Sequence, residues 1–210
     1  MRARTVRLRA DATRNRERII SVARDAIVEL GPDMALDEVA RRAGVGNATL
    51  YRHFADRTEL IREVTLSVMA RTAQLAEDAL AEEADAFSAL RRFVFEAVGE
   101  RIGAMCPLLS QTFDHQDPAV GEHMRRLAGS ITAIMDRAQS AGQLRDDIGV
   151  GDLMVALTQL TRPLPGTGCV GFDRFVHRHL QLFLDGLSAP ARSELVGAAA
   201  TLEDLQGCHK

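Results

Sequence analysis

The chain has 210 residues, of which 46% are hydrophobic, and its formal net charge is −3. This hydrophobic content is enough for a packed core and argues against global disorder. No apolar run approaches the ~18 residues of a membrane span, so we expect no membrane association. The basic N-terminus lacks the apolar stretch of a secretory signal, and the three widely spaced cysteines are typical of reduced thiols. We therefore expect a cytoplasmic protein.

The charge is unevenly distributed along the chain. Residues 1–62 contain 13 Arg and 9 acidic residues, whereas residues 63–210 contain 13 basic and 20 acidic residues. The first part is net positive and the second is net negative. Such an asymmetry indicates that the two parts have separate functions.

Helix-favouring residues dominate the composition, and no segment alternates strictly between apolar and polar residues, so the pattern predicts an all-α protein of about nine to ten helices. In chain order the predicted helices cover 13–30, 36–43, 47–54, 56–83, 86–103, 107–114, 118–141, 150–161, 172–187 and 190–199. The first carries an apolar stripe that should be buried: Ile19, Ile20, Ala23, Ile27 and Leu30. The third helix should direct Leu50 and Phe54, four residues apart, toward the core. Asp56 and Glu59 form a capping-box arrangement at the start of the fourth helix.

Two short helices, 36–43 and 47–54, flank a turn that contains Gly44 and Gly46, and together they form a candidate helix-turn-helix. In such a unit the start of the second helix meets base edges in the major groove, and more distant residues bind phosphates. The candidate DNA contacts are Arg14, Arg42, Asn47, Ala48, Thr49, Tyr51, Arg52, His53 and Arg57. A helix-turn-helix also occurs in proteins that do not bind DNA. If this chain is one of them, Tyr51 would be a packing residue and not a DNA contact.

Residues 35–64, ALDEVARRAGVGNATLYRHFADRTELIREV, resemble the DNA-binding signature of TetR-type (TetR/AcrR) transcriptional regulators. The shared elements are Asp37-Glu38-Val39-Ala40, Ala43-Gly44-Val45, Thr49-Leu50-Tyr51, His53-Phe54 and Glu59-Leu60. The sequence departs from the family pattern at three positions. Gly46 replaces the usual Ser cap, Ala35 stands where Thr or Ser is common, and Arg57 stands where Lys is common.

The resemblance implies a homodimer that binds a near-palindromic operator in double-stranded DNA, usually as a repressor, and responds to a small-molecule effector. The expected domains are a three-helix DNA-binding domain over 13–58, a larger helical effector-binding and dimerisation domain over 59–189, and a partly helical tail over 190–210. The first 18 residues contain seven Arg, so we also expect a basic flexible arm over 1–12, which could contact DNA or remain a solvated tail. Two alternatives stay open: a transcriptional activator of the same family, and a helical binding or scaffold module whose helix-turn-helix is non-functional.

Within the larger domain the resemblance implies that the last two long helices dimerise. The apolar candidates there are Leu153, Leu157, Leu160, Phe175, Leu180 and Phe183. An effector pocket between helices has the candidates Phe95, Met105, Leu109, Thr112, Phe113, Met124, Leu127 and Ile131. Each of these side chains could equally belong to the monomer core.

The sequence offers little support for an enzyme. His115 and His123 are eight residues apart with Pro118 between them, which does not fit a helical metal-binding pair. No glycine-rich phosphate loop and no Gly-x-Ser-x-Gly motif is present. We therefore expect no catalytic residues, no metal site and no cofactor.

Overall fold

The computed structural model describes residues 2–100, 102–103, 117–162 and 172–206. The α-helices in these ranges are α1 (Arg2–Leu30), α2 (Leu36–Arg42), α3 (Asn47–His53), α4 (Arg57–Glu82), α5 (Ala86–Ala97), α6 (Pro118–Ser140), α7 (Val150–Leu160), α8 (Phe172–Leu187) and α9 (Leu202–Gln206). A 3₁₀ turn, Val98–Glu100, follows α5. Across the described ranges no strand occurs, and the extended pairing is a single isolated bridge between Leu144 and Ser188. The predicted all-α class is confirmed.

The predicted helix 107–114 lies outside the described residues. None of the helices in the described part of the chain is both long enough and apolar enough to cross a lipid bilayer. The chain divides into two compact units, residues 1–67 and 68–210, and the boundary falls inside α4. The first unit therefore includes residues 1–12 and 59–67, which the predicted domain over 13–58 leaves out.

The first unit is built around a core that α1, α2, α3 and the start of α4 share. Its buried side chains include Ile19, Ile20, Ala23, Ile27, Val39, Ala40, Leu50, Phe54, Leu60 and Val64. The predicted stripe on α1 is buried except for its last member, because Leu30 is 52% exposed. Leu30 is the last residue of the helix, and Gly31, with φ of +84°, ends it immediately afterwards.

The first helix is longer than the sequence indicated. Residues 2–12 form the first turns of α1 instead of the flexible arm expected over 1–12. No glycine or proline interrupts the chain between Arg2 and Leu30, and Ala, Leu and Arg are strong helix formers. With no local stop signal, the helix continues to the start of the described chain.

The second unit packs α5 against α6 through apolar side chains that are buried on both helices. They include Phe87, Leu90, Phe93 and Val94 on α5, and Leu127, Ile131 and Ile134 on α6. Arg137 of α6 donates to the carbonyl oxygens of Leu80, Glu83 and Ala84 at 2.6–2.7 Å. It satisfies acceptors that the end of α4 leaves without a helical partner, and its charge suits a helix C-terminus.

The C-terminal segment is held against the start of α7. Gly151 N donates to Ala200 O at 2.9 Å, and Asp152 Oδ2 accepts from Ala200 N at 3.0 Å and from Gly149 N at 2.8 Å. The predicted helix over 190–199 was wrong: this stretch is irregular, and the helical part of the tail is α9. Gly197, with φ of +99°, is incompatible with a continuous right-handed helix there.

Candidate nucleic-acid interface

A tight turn between α2 and α3 sets the geometry of the helix-turn-helix. Gly44 has φ of +63°, in the left-handed region that glycine adopts without strain. Val45 N then donates to Ala40 O at 3.0 Å, which closes the end of α2. Ala40 of α2 and Leu50 of α3 are both buried in the core of the first unit, and this burial restricts the direction of α3.

The recognition helix α3 has one exposed and one buried face. Asn47, Ala48, Tyr51 and Arg52 are exposed, with Tyr51 51% accessible. Leu50 faces the core and is fully buried, and Phe54, which follows the helix, is buried as well. The predicted contacts Thr49 and His53 are half-buried at the margins of the exposed face. This division leaves one polar helical surface free for a partner.

Aromatic and ionic contacts hold the end of α3 in place. The Arg16 guanidinium lies 5.3 Å from the centroid of the Phe54 ring, in a cation–π arrangement. Arg16 also forms an ion pair with Glu63 of α4. The side chain of Phe54 is thereby covered by a residue of α1 that is itself anchored to α4.

A network of ion pairs surrounds Glu38 on α2. Its carboxylate accepts hydrogen bonds from Arg41 Nε at 2.8 Å, Arg41 Nη2 at 2.7 Å and Arg42 Nε at 2.7 Å. The hydrogen bonds from Arg41 and Arg42 lower the pKa of Glu38 to about 2. Arg42 also donates to Glu29 at 2.6 Å, and these two carboxylates raise its pKa. Arg42, a predicted DNA contact, therefore links α1 and α2, and its phosphate contact stays a prediction.

The other predicted arginine contacts differ in how firmly they are paired. Arg14 is paired with Asp11, and Arg57 lies 3.3 Å from the highly exposed carboxylate of Asp33. Arg52 donates to the Thr49 hydroxyl at 3.3 Å and has no carboxylate partner in the described part of the chain. Arg52 can therefore bind a phosphate without first giving up an ion pair.

The start of α4 is capped as the spacing of Asp56 and Glu59 predicted. Glu59 N donates to Asp56 Oδ1 at 2.8 Å, and Glu59 Oε2 accepts from Ala55 N at 2.6 Å. The reciprocal bond reaches Ala55 instead of Asp56 itself, so this is a variant of the capping box. Arg57 follows the cap directly and is held in the first turn of α4.

One contact at the interface was missed by sequence reasoning. The Asn47 side-chain amide donates to Asp37 Oδ1 at 2.8 Å, across the turn from α3 to α2. The two residues are ten positions apart, so no helical periodicity connects them. The one available signal in the sequence was Asp37 itself, an acidic residue close to the predicted DNA-binding surface.

The effector candidates of the second unit divide into three groups. Leu127 and Ile131 are buried in the core, whereas Phe95 and Met124 are half-buried. The ring of Phe95 is stacked on that of His177 at a centroid distance of 5.2 Å. The remaining candidates lie outside the described residues: Met105, Leu109, Thr112 and Phe113.

The dimerisation candidates also differ in exposure. Leu153, Leu157 and Leu180 are already buried within the single chain, and Leu160 and Phe183 are half-buried. Phe175 is 47% exposed. On the same two helices the structure also exposes Val155 and Leu182, which the sequence prediction did not include.

Comparison with known proteins gives matches over both units. Residues 19–64 match the family described as bacterial regulatory proteins, tetR family, and residues 81–189 match the SbtR-like C-terminal domain of transcriptional regulators. The HTH-type transcriptional regulator NfxB of Pseudomonas aeruginosa is 28% identical over 181 residues, which cover 84% of this chain and 96% of NfxB.

Solved structures show the same fold. A TetR transcriptional regulator from Streptomyces coelicolor is 30% identical, with a TM-score of 0.64, over 84% of this chain and 99% of that one. A TetR transcription regulatory protein from Mycobacterium vanbaalenii is 29% identical, with a TM-score of 0.63, over 87% of this chain and 99% of that one. The likeness therefore extends over nearly the whole length of these relatives.

Proposed function

Since the chain belongs to the TetR family of bacterial regulatory proteins, we propose that it is a homodimeric repressor that binds a near-palindromic operator and releases it when a small-molecule effector binds. The family assignment makes it a DNA-binding transcriptional regulator and not an enzyme. Repression, dimerisation and effector response are the proposed part. Its place of action would be the cytoplasm, where the bacterial chromosome lies.

The observation that carries the proposal is the exposed face of α3. Asn47, Ala48, Tyr51 and Arg52 project from one side of a helix whose other side is fixed to a core. The major groove is about 12 Å wide and admits a single α-helix. An amide, a methyl group, a phenol and a guanidinium are side chains suited to base edges, thymine methyls and phosphates.

The charge of the first unit supports binding to a polyanion. Residues 1–62 carry 13 Arg against 9 acidic residues, and Arg52 has no competing carboxylate within the described ranges. Arg57 is paired with Asp33 at 3.3 Å, and both side chains are substantially exposed. Such an exposed pair is weak, so a phosphate can replace the carboxylate with little loss of free energy.

A surface on α8 supports pairing with a second copy of the chain. Phe175, His179, Leu182 and Gly186 are exposed and recur at the spacing of one helical face. Large apolar side chains that are exposed together mark a contact surface, and closed two-fold dimers are the commonest assembly. A dimer would present two recognition helices about 34–36 Å apart, one helical turn of DNA.

The second unit would hold the effector. Half-buried Phe95 and Met124 are apolar side chains with part of their surface free, which a hydrophobic ligand could cover. An effector that prefers the conformation unable to bind DNA shifts the population toward that conformation and lowers operator affinity. The operator must in turn lower the affinity for the effector by the same factor.

Selection from a pool of random-sequence duplexes tests the proposal. The full-length protein should enrich a near-palindromic sequence, and footprinting should show two protected half-sites. A folded dimer that enriches no sequence would refute operator binding and leave the helical scaffold alternative.

A matched pair of exposed arginines tests the geometry in the same assay. Affinity falls as salt rises, and Arg52→Ala should make the plot of log affinity against log salt less steep. The expected decrease in steepness is about 0.9 for each protomer, because each protomer loses one phosphate contact. Arg125→Ala, on the exposed surface of α6 in the second unit, should leave that slope unchanged.

A further inference from the structure

The exposed face of α3 contains one side chain whose orientation is set by another helix. Asn47 Nδ2 donates to Asp37 Oδ1 at 2.8 Å, and both side chains are exposed to solvent. We propose that Asp37 is a positioning residue for sequence recognition, which holds the Asn47 amide in the orientation that reads a base. This inference rests on the proposed DNA binding and deepens it, because it assigns a role to a residue that touches no base.

The chemistry of the pair determines the orientation of the amide. An ionised carboxylate is an acceptor only, so the Asn47 side chain must present its NH₂ group to Asp37. A free asparagine on the surface could turn its oxygen and nitrogen to either side. The contact removes that choice, and it leaves one N–H and the carbonyl oxygen of Asn47 for a partner on the DNA.

The remaining donor and acceptor match one base better than the others. In the major groove adenine offers its N6 amino group as a donor and N7 as an acceptor, and an asparagine amide pairs with both. Guanine offers two acceptors, which would leave the Asn47 oxygen without a partner. The expected preference at the base pair that Asn47 contacts is therefore A·T with adenine facing α3.

Other groups near Asp37 do not account for the contact. The neighbouring Glu38 is engaged by Arg41 and Arg42 of the same helix, and Arg42 in turn forms the ionic link to Glu29 at the end of α1. Across the described residues Asn47 is the one side chain that is hydrogen-bonded to Asp37. A carboxylate at a DNA surface repels phosphates, and orienting Asn47 is a function that offsets this disadvantage.

The experiment compares two duplexes that differ at a single base pair. Asn47→Ala first identifies that base pair in the selected operator, as the position where preference disappears. The ratio of affinities for the duplex with adenine and the duplex with guanine at that position is then measured for the wild type, Asp37→Ala and Asp37→Asn. Both duplexes carry the same phosphates, so the ratio cancels the general gain in affinity when a negative charge is removed.

We expect a wild-type ratio of roughly 5- to 150-fold, the range for a bidentate base contact. Asp37→Ala should lower this ratio by about 2- to 12-fold. Without Asp37, the Asn47 side chain would become ordered only when it binds adenine, and this ordering reduces the affinity. Asp37→Asn keeps an acceptor oxygen, so its ratio should stay closer to the wild type than to Asp37→Ala. In the double variant, Asp37→Ala should add nothing to the loss caused by Asn47→Ala.

Several results would overturn the inference alone while operator binding stands: an unchanged ratio in Asp37→Ala, an equal loss in Asp37→Asn, or a loss at a different base pair. The last result would mean that Asp37 contacts DNA directly, as an acceptor from a cytosine amino group. A wild-type protein that enriches no sequence would overturn both the proposed function and this inference. Thermal melting of each variant, followed by circular dichroism, shows whether the exposed substitutions leave the fold intact.

Discussion

Arg42 of α2 joins its helix to the end of α1, because its Nη1 lies 2.6 Å from Oε2 of Glu29. Its Nε donates to Glu38 at 2.7 Å, so one guanidinium connects carboxylates on two helices. Both carboxylates are partly exposed, which limits the strength of each pair and makes the network sensitive to salt. Its role is to align α2, and through the glycine turn α3, with the long first helix.

This network predicts a specific dependence of stability on pH. The folded-state pKa of Glu38 is about 2, below its ordinary value of 4.5, because Arg41 and Arg42 donate to the ionised carboxylate. The ionised group therefore stabilises the folded state above pH 4.5, and this contribution disappears as the pH falls toward 2. Glu38→Gln should be less stable than the wild type at pH 6, and the difference should shrink between pH 4.5 and 2.

Urea unfolding at a series of pH values measures this difference directly. In 1 M NaCl the gap between the two proteins at pH 6 should narrow, because salt screens exposed ion pairs. A gap that is constant from pH 6 to pH 2 would show that Glu38 acts through packing and not through its charge.

Adjacent residues on α3 should separate folding from DNA binding. Leu50 is fully buried, so Leu50→Ala should lower the free energy of unfolding by about 2–5 kcal/mol. Tyr51 is 51% exposed, so Tyr51→Ala should change stability by no more than about 0.5 kcal/mol and still weaken operator binding. Chemical denaturation and gel-shift titration of the two variants provide the two measurements.

The informative outcome is the pair of results. If Tyr51→Ala unfolds the protein as Leu50→Ala does, the phenol belongs to the core and the exposed face has been assigned incorrectly. If Tyr51→Ala is stable and binds the operator as tightly as the wild type, the tyrosine lies outside the DNA contact.

Local signals were enough to predict most of the helices and the two faces of α3. Glycine at the turn, the spacing of Leu50 and Phe54, and the Asp56–Glu59 cap each act within a few residues, so they can be read directly from the sequence. The pairs Asp37–Asn47 and Arg42–Glu29 join residues 10 and 13 positions apart and depend on how helices cross. The sequence shows these residues but contains no signal for their pairing.

The C-terminal segment illustrates the same limit. Residues 190–199 have a composition that favours helix, but the neighbouring Ala200 pairs its backbone with Gly151 and with the Asp152 carboxylate. Tertiary contacts of this kind override local propensity. The exposed Leu30 is the converse case, since the helical spacing is right and the helix simply ends there.

Two glycines in helices should respond in opposite ways to substitution by alanine. A Cβ at Gly151 of α7 would lie 2.5 Å from the carbonyl oxygen of Thr201 and 2.6 Å from the carbonyl carbon of Ala200, so the C-terminal segment must move. Gly151→Ala should therefore lower the free energy of unfolding by about 1–3 kcal/mol. Gly129 of α6 has open space around it, and Gly129→Ala should raise stability by about 0.5–1 kcal/mol.

Urea unfolding measures both changes, and limited proteolysis reports on the segment itself. Proteolytic cleavage within the C-terminal segment, residues 190–206, should become faster in Gly151→Ala and stay at the wild-type rate in Gly129→Ala. Equal stabilisation of both variants would mean that the C-terminal segment does not lie against α7 in solution.

The proposed dimer surface on α8 can be tested with two leucines of similar exposure. Leu182 is 59% exposed on α8, and Leu195 is 49% exposed in the C-terminal segment. Leu182→Glu would place an unpaired carboxylate in the interface, and burying such a charge is strongly unfavourable. We expect this variant to sediment as a monomer at micromolar concentration and Leu195→Glu to sediment as the wild-type dimer. The monomer should also bind the operator much more weakly, because the two half-sites of the operator would no longer be bound by two recognition helices in one dimer. A Leu182→Glu protein that remains dimeric, with α8 folded, would place the interface on another surface of the chain.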